Sequence, residues 1–255
     1  ENLDFDLDNK ARIVNGKENP GKIVNCVLTL RGKSNIRNGS EYQGNMDGCY
    51  IILYGSHIIN GSDTIFNNSI TPDSSKICTI ENGTIELYKE NDVSSYIKNG
   101  NVYQGDIENC DITVCDGCYI NNGENCQGNI KGSVDTSIIL KNGSFILNGV
   151  NAQGNINDAN IVLVKKSRII NAYTSQGNIE MCSISFDENS FIHNCCGGKG
   201  DVENSYMTLT GGSYVINDSC RDIKTKIDIK DITSGYEGGF ENTTVILHEN
   251  SFINN

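Results

Sequence analysis

QGNINDANIVLVKKSRIINAYTS, residues 153–175, is followed at once by QGNIEMCSISFDENSFIHN, residues 176–194. Laid over one another, Gln153 falls on Gln176, Ile156 on Ile179, Ile161 on Ile184, Leu163 on Phe186, Ser167 on Ser190, Ile169 on Ile192 and Asn171 on Asn194. The offset is 23 residues. The closing asparagine returns along the whole chain, at Asn15, Asn38, Asn60, Asn99, Asn122, Asn148, Asn171, Asn194, Asn217 and Asn255. Five of the nine gaps are 23 residues and the others are 22, 39, 26 and 38, one deletion and three insertions in a single beat. A fixed period of this size marks a solenoid, in which each coil packs only on its neighbours.

Within a coil, apolar and polar residues alternate, as in Ile161-Val162-Leu163. Period two means short strands with one face inward. Three columns are almost purely aliphatic, represented by Ile156, Leu163 and Ile169. Turn formers lie between the strands: Asn-Gly at Asn38, Asn60, Asn82, Asn99, Asn142 and Asn148, and Gly-Gly at Gly211. Three strands and three corners per coil predict a triangular parallel β-solenoid of about nine coils. Stacked about 4.8 Å apart, nine coils span roughly 43 Å. The asparagine column is expected to face inward. Asparagine tolerates a left-handed corner, and stacked amides satisfy one another where water does not reach.

Coils of this length, with aliphatic columns and an asparagine ladder, resemble the right-handed parallel β-helix family of pectin-lyase-like enzymes, phage tailspikes and surface adhesins. The hexapeptide beat of left-handed β-helices does not divide 23. Leucine-rich repeats need a helical outer segment for which corners such as Lys141-Asn142-Gly143 leave little room. The resemblance implies an all-β fold and leaves function open.

Residues 1–19 are expected to form an N-terminal cap and partial coil, with Leu3, Phe5 and Leu7 alternating with Asp4, Asp6 and Asp8. Residues 20–255 form the β-helix, with insertions at about 62–76 and 221–235. Thr71-Pro72-Asp73 suggests a turn in the first. Ile223, Ile227, Ile229 and Ile232 among Lys224, Lys226 and Lys230 suggest an extra strand in the second.

The net charge of −12 argues against nucleic acid as a partner. No apolar run is long enough to insert in a membrane. The eleven cysteines do not read as a disulfide framework. Cys26, Cys49, Cys110 and Cys182 share one inward column with Ala159, Ser205 and Thr243, a place for a small side chain. Free buried thiols point to folding in a reducing cytosol. Cys115 and Cys118 invite a zinc reading, but Cys195-Cys196 lies three coils away, too far to complete the site. His193, Cys195, Cys196 and Cys220 share a corner and read as free thiols before they read as a metal site. No metal or cofactor is expected.

No catalytic signature emerges. Asp47, Glu81 and Glu108, then Glu180 and Glu203, form an acidic column. Neighbouring rungs about 5 Å apart match the carboxylate separation of a retaining glycosidase, but the first reading is a charged strand edge that discourages aggregation, with catalysis and cation binding as the lesser alternatives. The most suggestive surface is the outward face of the third strand. Tyr96, Tyr119, Phe145, Phe191, Tyr214 and Phe252 line one column, and Leu147, Ile170 and Ile216 the next. A packed face against another subunit is the first expectation, with a sugar-stacking platform or cross-strand stabilisation as alternatives. The sequence stops on Asn255 without a capping element, so either the natural polypeptide continues or another chain covers that end; together with the aromatic strip, this leads to the expectation of a homotrimer or larger assembly. The reading is a non-catalytic structural or attachment protein of a virion appendage, such as a tail spike or fibre, assembled in the host cytoplasm, with a carbohydrate receptor as a possible partner. The alternatives are a polysaccharide lyase or hydrolase and a secreted bacterial surface adhesin.

Overall fold

Alternation of apolar and polar residues lays down three strands per coil. In the coil opening at Gln153 they are Gly154–Asn157, Asn160–Val164 and Arg168–Asn171. The computed structural model describes residues 2–17, 19–39, 42–61, 73–133, 135–173, 175–195, 199–217 and 239–254. Among these residues there is no helix, and each strand pairs in parallel with its counterparts in the coils before and after. Three sheets result, of nine, ten and ten strands in the order met along a coil. Nine strands in the first sheet are separated by eight turns, so the protein is a parallel β-solenoid. Asp4–Leu7 and Arg12–Asn15 supply the first rungs of the second and third sheets, with Phe5 and Leu7 packed against the core.

The predicted inward columns are inward. Ile130, Ile156 and Ile179 stand in register in the first sheet, Leu140 and Leu163 in the second, and Ile146, Ile169 and Ile192 in the third, all at most 2 % exposed. Burial of each such side chain contributes about 1.5–3 kcal/mol. The core is therefore one continuous column of aliphatics running the length of the fold.

The asparagine ladder lines the third corner. From Asn15 to Asn217 each Nδ2 donates to the Oδ1 of the next rung at 2.7–2.8 Å. The same Nδ2 also donates to backbone carbonyls of the flanking first-sheet strands, as Asn171 does to Gly154 of its own coil and to Asn178 of the next. Asn255 lies outside the described residues. The glycine of each Gln-Gly-Asn phrase follows from this ladder. A Cβ on Gly177 would sit 2.7 Å from the Oδ1 of Asn194, so the amide occupies the space that a side chain would need.

The second corner is a turn with two successive residues at positive φ, the requirement of a type I′ turn. Asn142 and Gly143 have φ of 55° and 75°, and the Ser144 N–H closes the turn on the Lys141 carbonyl. The departures from the beat fall at all three corners. The 22-residue gap is a second corner shortened around Gly55. The 39-residue gap holds two insertions. One falls between Asn60 and Ile77, mostly outside the described residues, as do Thr71 and Pro72 of the expected turn; a strand resumes at Asp73, inside the span expected to be loop, and bulges by three residues before Ile77 pairs with Gln104. The other is a small hairpin in which Glu90 and Val93 exchange backbone hydrogen bonds. It packs over Gly55 and accepts the Gly32 N–H at Glu90 Oε2, 3.1 Å away. The insertion thus fills what the deletion leaves open. The segment expected to carry an extra strand, residues 221–235, lies outside the described residues.

Candidate functional site

The third sheet brings the predicted aromatic column into register. His57, Tyr96, Tyr119 and Phe145 stack with centroids 4.7–5.1 Å apart and planes within 9°. The Arg168 guanidinium continues the pile 4.4 Å over Phe145, and Phe191, Tyr214 and Phe252 stack beyond it at 4.8 and 5.1 Å. Parallel stacking places ring faces along the solenoid axis, each against its neighbour, and leaves edges to solvent. All these rings are half-buried. A sugar needs an open face to stack on, so a platform within this run is not favoured by its geometry. Leu147 and Ile170 lie half-buried in the adjacent column, in register with one another. Ile216 points outward as expected but is only 3 % exposed, and is withdrawn from any surface site for lack of accessible area. His193, between Ile170 and Ile216, tilts against Phe191 and Tyr214 with its Nε2 buried and unpartnered. Burial, and then Arg168, lowers its pKa.

The acidic column follows the first sheet's edge. Asp47, Glu81 and Glu108 occupy successive rungs, Lys131 and Asn157 interrupt them, and Glu180, Glu203 and Glu241 resume. Glu241 was legible from the same register that aligns Thr243 with Ser205, and it extends the expected column by one rung. Desolvation raises the Glu203 carboxyl, assisted by Glu241, Asp201 and Glu180. Among the described residues, no group of three or more His, Cys, Asp or Glu is placed to hold a metal ion.

The cysteine column has a second reason beyond size. Cys26, Cys110 and Cys182 donate from Sγ to the carbonyls of Val24, Glu108 and Glu180 at 3.1–3.2 Å. Ser205 makes the same bond with Oγ to Glu203, and Thr243 with Oγ1 to Glu241. The position takes a small side chain, and where that is Cys, Ser or Thr it also donates to the backbone; Ala159 only fills the space. Desolvation raises the Cys110 and Cys182 thiols, to about 12 and about 11, so both stay protonated at neutral pH. Cys115 and Cys118 are both free thiols, Cys115 half-buried and Cys118 fully buried. Cys195 donates to the Ser175 carbonyl; Cys196 and Cys220 lie outside the described residues.

A groove of about 340 Å³ runs along the first corner. Its floor is the small column, Ala159, Cys182 and Ser205. Three residues are inserted at this corner in one coil, the source of the 26-residue gap, and Ser133 from that insertion stands at one end. Tyr206 and Met181, 46 % and 50 % exposed, line it farther along. Met181 has φ of 52°, in a column otherwise held by asparagine, aspartate and glycine, including Asn25, Gly48, Asn82, Asp158 and Asn204.

Fold and surfaces together define an all-β parallel β-solenoid repeat protein. In comparison with known proteins, no family model, curated sequence or solved structure matches this chain.

Proposed function

We propose that the chain is a non-catalytic structural or attachment stem, part of a virion appendage such as a tail spike or fibre, or of a comparable surface assembly. One observation carries this reading: ladders run lengthwise both inside, through nine asparagines, and outside, through stacked rings. Repeated bonds of this kind stiffen a rod, and a stem must transmit load between its ends. Likeness to the right-handed β-helix family rests on coil length, aliphatic columns and the asparagine corner. Protonated, unpaired buried thiols favour assembly in a reducing cytoplasm.

The partner favoured is a second and third copy of the chain. The third-sheet face offers ring edges with Leu147 and Ile170, a surface suited to lateral packing. Light scattering at micromolar concentration tests it. A trimer or larger species is expected, reduced to monomer by Leu147→Asp with Ile170→Asp. A wild-type protein that stays monomeric sinks the proposal.

Glu180, Glu203 and Glu241 on consecutive rungs, with Glu203 raised, favour a second reading as a polysaccharide lyase or hydrolase. Release of reducing ends from bacterial capsule, abolished by Glu180→Gln or Glu203→Gln, would put that reading first.

A further inference from the structure

We propose that the groove along the first corner binds a neutral saccharide of one or two rings. This rests on the attachment reading and moves its ligand site away from the aromatic strip. A sugar ring has an apolar C–H face and a rim of hydroxyls. Its site therefore needs one accessible aromatic face and several short polar groups. The strip has rings without free faces; the groove has the reverse arrangement.

Tyr206 stands in register between Ser183 and Thr244. Neither is large enough to cover an aromatic face, and Tyr206 makes no ring contact among the described residues. Its ring is therefore open along the axis, on the side where the groove continues towards Ser183 and Asn160. Asp158, Asn160 and Asn204 project carboxylate and amide groups at the same corner. Asp158 and Asn204 stand two rungs apart, whereas Asn160 and Ser183 are on neighbouring rungs, spaced by the strand repeat of about 4.8 Å, close to the distance between alternate hydroxyls around a pyranose. The volume lies at the small end of ligand pockets, room for a mono- or disaccharide rather than a long chain.

Met181 is the second observation. A left-handed backbone strains most side chains other than Asn and Asp, and every other described coil places Asn, Asp or Gly there. A thioether held in that conformation and half exposed gives up stability that the fold does not need to lose. Beside Tyr206 it extends the apolar surface against which a sugar ring lies. Charge selects among sugars. Glu180 and Glu203 immediately precede Met181 and Asn204, and the chain carries −12 overall, so a neutral or N-acetylated saccharide is favoured over an acidic one.

The test is saturation-transfer NMR on the full chain with maltose, lactose, cellobiose and N,N′-diacetylchitobiose. Transfer to at least one sugar is expected, with fast exchange and a Kd of about millimolar. Tyr206→Ala should weaken binding about tenfold. Met181→Asn should weaken it while leaving Tm the same or higher, because asparagine suits the backbone there; that variant separates loss of binding from loss of fold. Three results overturn the proposal: no transfer from any of the four sugars, transfer unchanged in both variants, or cleavage of the bound sugar. Assembly through the third sheet is read independently by light scattering, so failure of the groove and failure of the stem reading are distinguishable.

Discussion

Asn171 shows how much one side chain holds. Itself without access to water, it accepts from Asn148 and donates to Asn194, Gly154 and Asn178. Leucine of similar volume strands those partners. Asn171→Leu is expected to cost about 3 kcal/mol in urea unfolding, whereas Asn178→Ala, on the outer face of the next coil, should stay within about 0.5 kcal/mol. Equal losses would contradict the inward ladder. Glycines divide in the same way. Gly149 has φ of 60°, and a Cβ there would collide with the Gln153 carbonyl oxygen. Gly143 has φ of 75° with nothing within 4 Å of a Cβ. Gly149→Ala should lower stability by more than about 2 kcal/mol and Gly143→Ala by about 1 kcal/mol, read from thermal melts.

At the scale of elements, a strand is stable because of its rung neighbours more than its own composition. The outer ring stack is the clearest case. Tyr119 and Phe145 lie 4.9 Å apart with planes 3° from parallel. A double-mutant cycle with both alanine variants should give a coupling of about 0.5–1.5 kcal/mol. Zero coupling would make the stack a by-product of register. Amide ladders work alike on the exterior: Asn129 donates to Asp106 and Asn155 to Asn129, while Asn125 and Asn151 continue from Asn101. The inner ladder was legible because its asparagine recurs throughout. The outer ones were not, because their columns mix Asp, Asn, Thr and Lys, and only register reveals the bonds.

Over the whole molecule, stacking multiplies charge as well as contacts. Glu180, Glu203 and Glu241 are held on successive rungs, and burial together with these neighbours raises the Glu203 carboxyl. A carboxyl with a higher pKa folded than unfolded binds more protons in the folded state. Its ionised form therefore weakens the fold above that pKa, and the penalty fades as pH falls through it. Glu203→Gln is expected to raise Tm at pH 7, with the gain shrinking under acid conditions and at high salt. A gain independent of pH would mean that charge is not its cause.

Sequence alone determined the coil, because a solenoid repeats one local solution and its period, inward columns and corner asparagines survive in the residue types. Tertiary structure decided what the repeat leaves free. Lys165-Lys166 and Glu188-Asn189 also adopt two successive positive φ values, like Asn142-Gly143. Neither pair announces a turn as Asn-Gly does; backbone bonds such as Lys166 N–H to the Glu188 carbonyl impose the shape from the next coil. The aromatic column was visible as a list of residues. That its faces are spent on one another, while Tyr206 keeps a face open beside a groove, depends on which side chains occupy neighbouring rungs, and only the packed coils fix that.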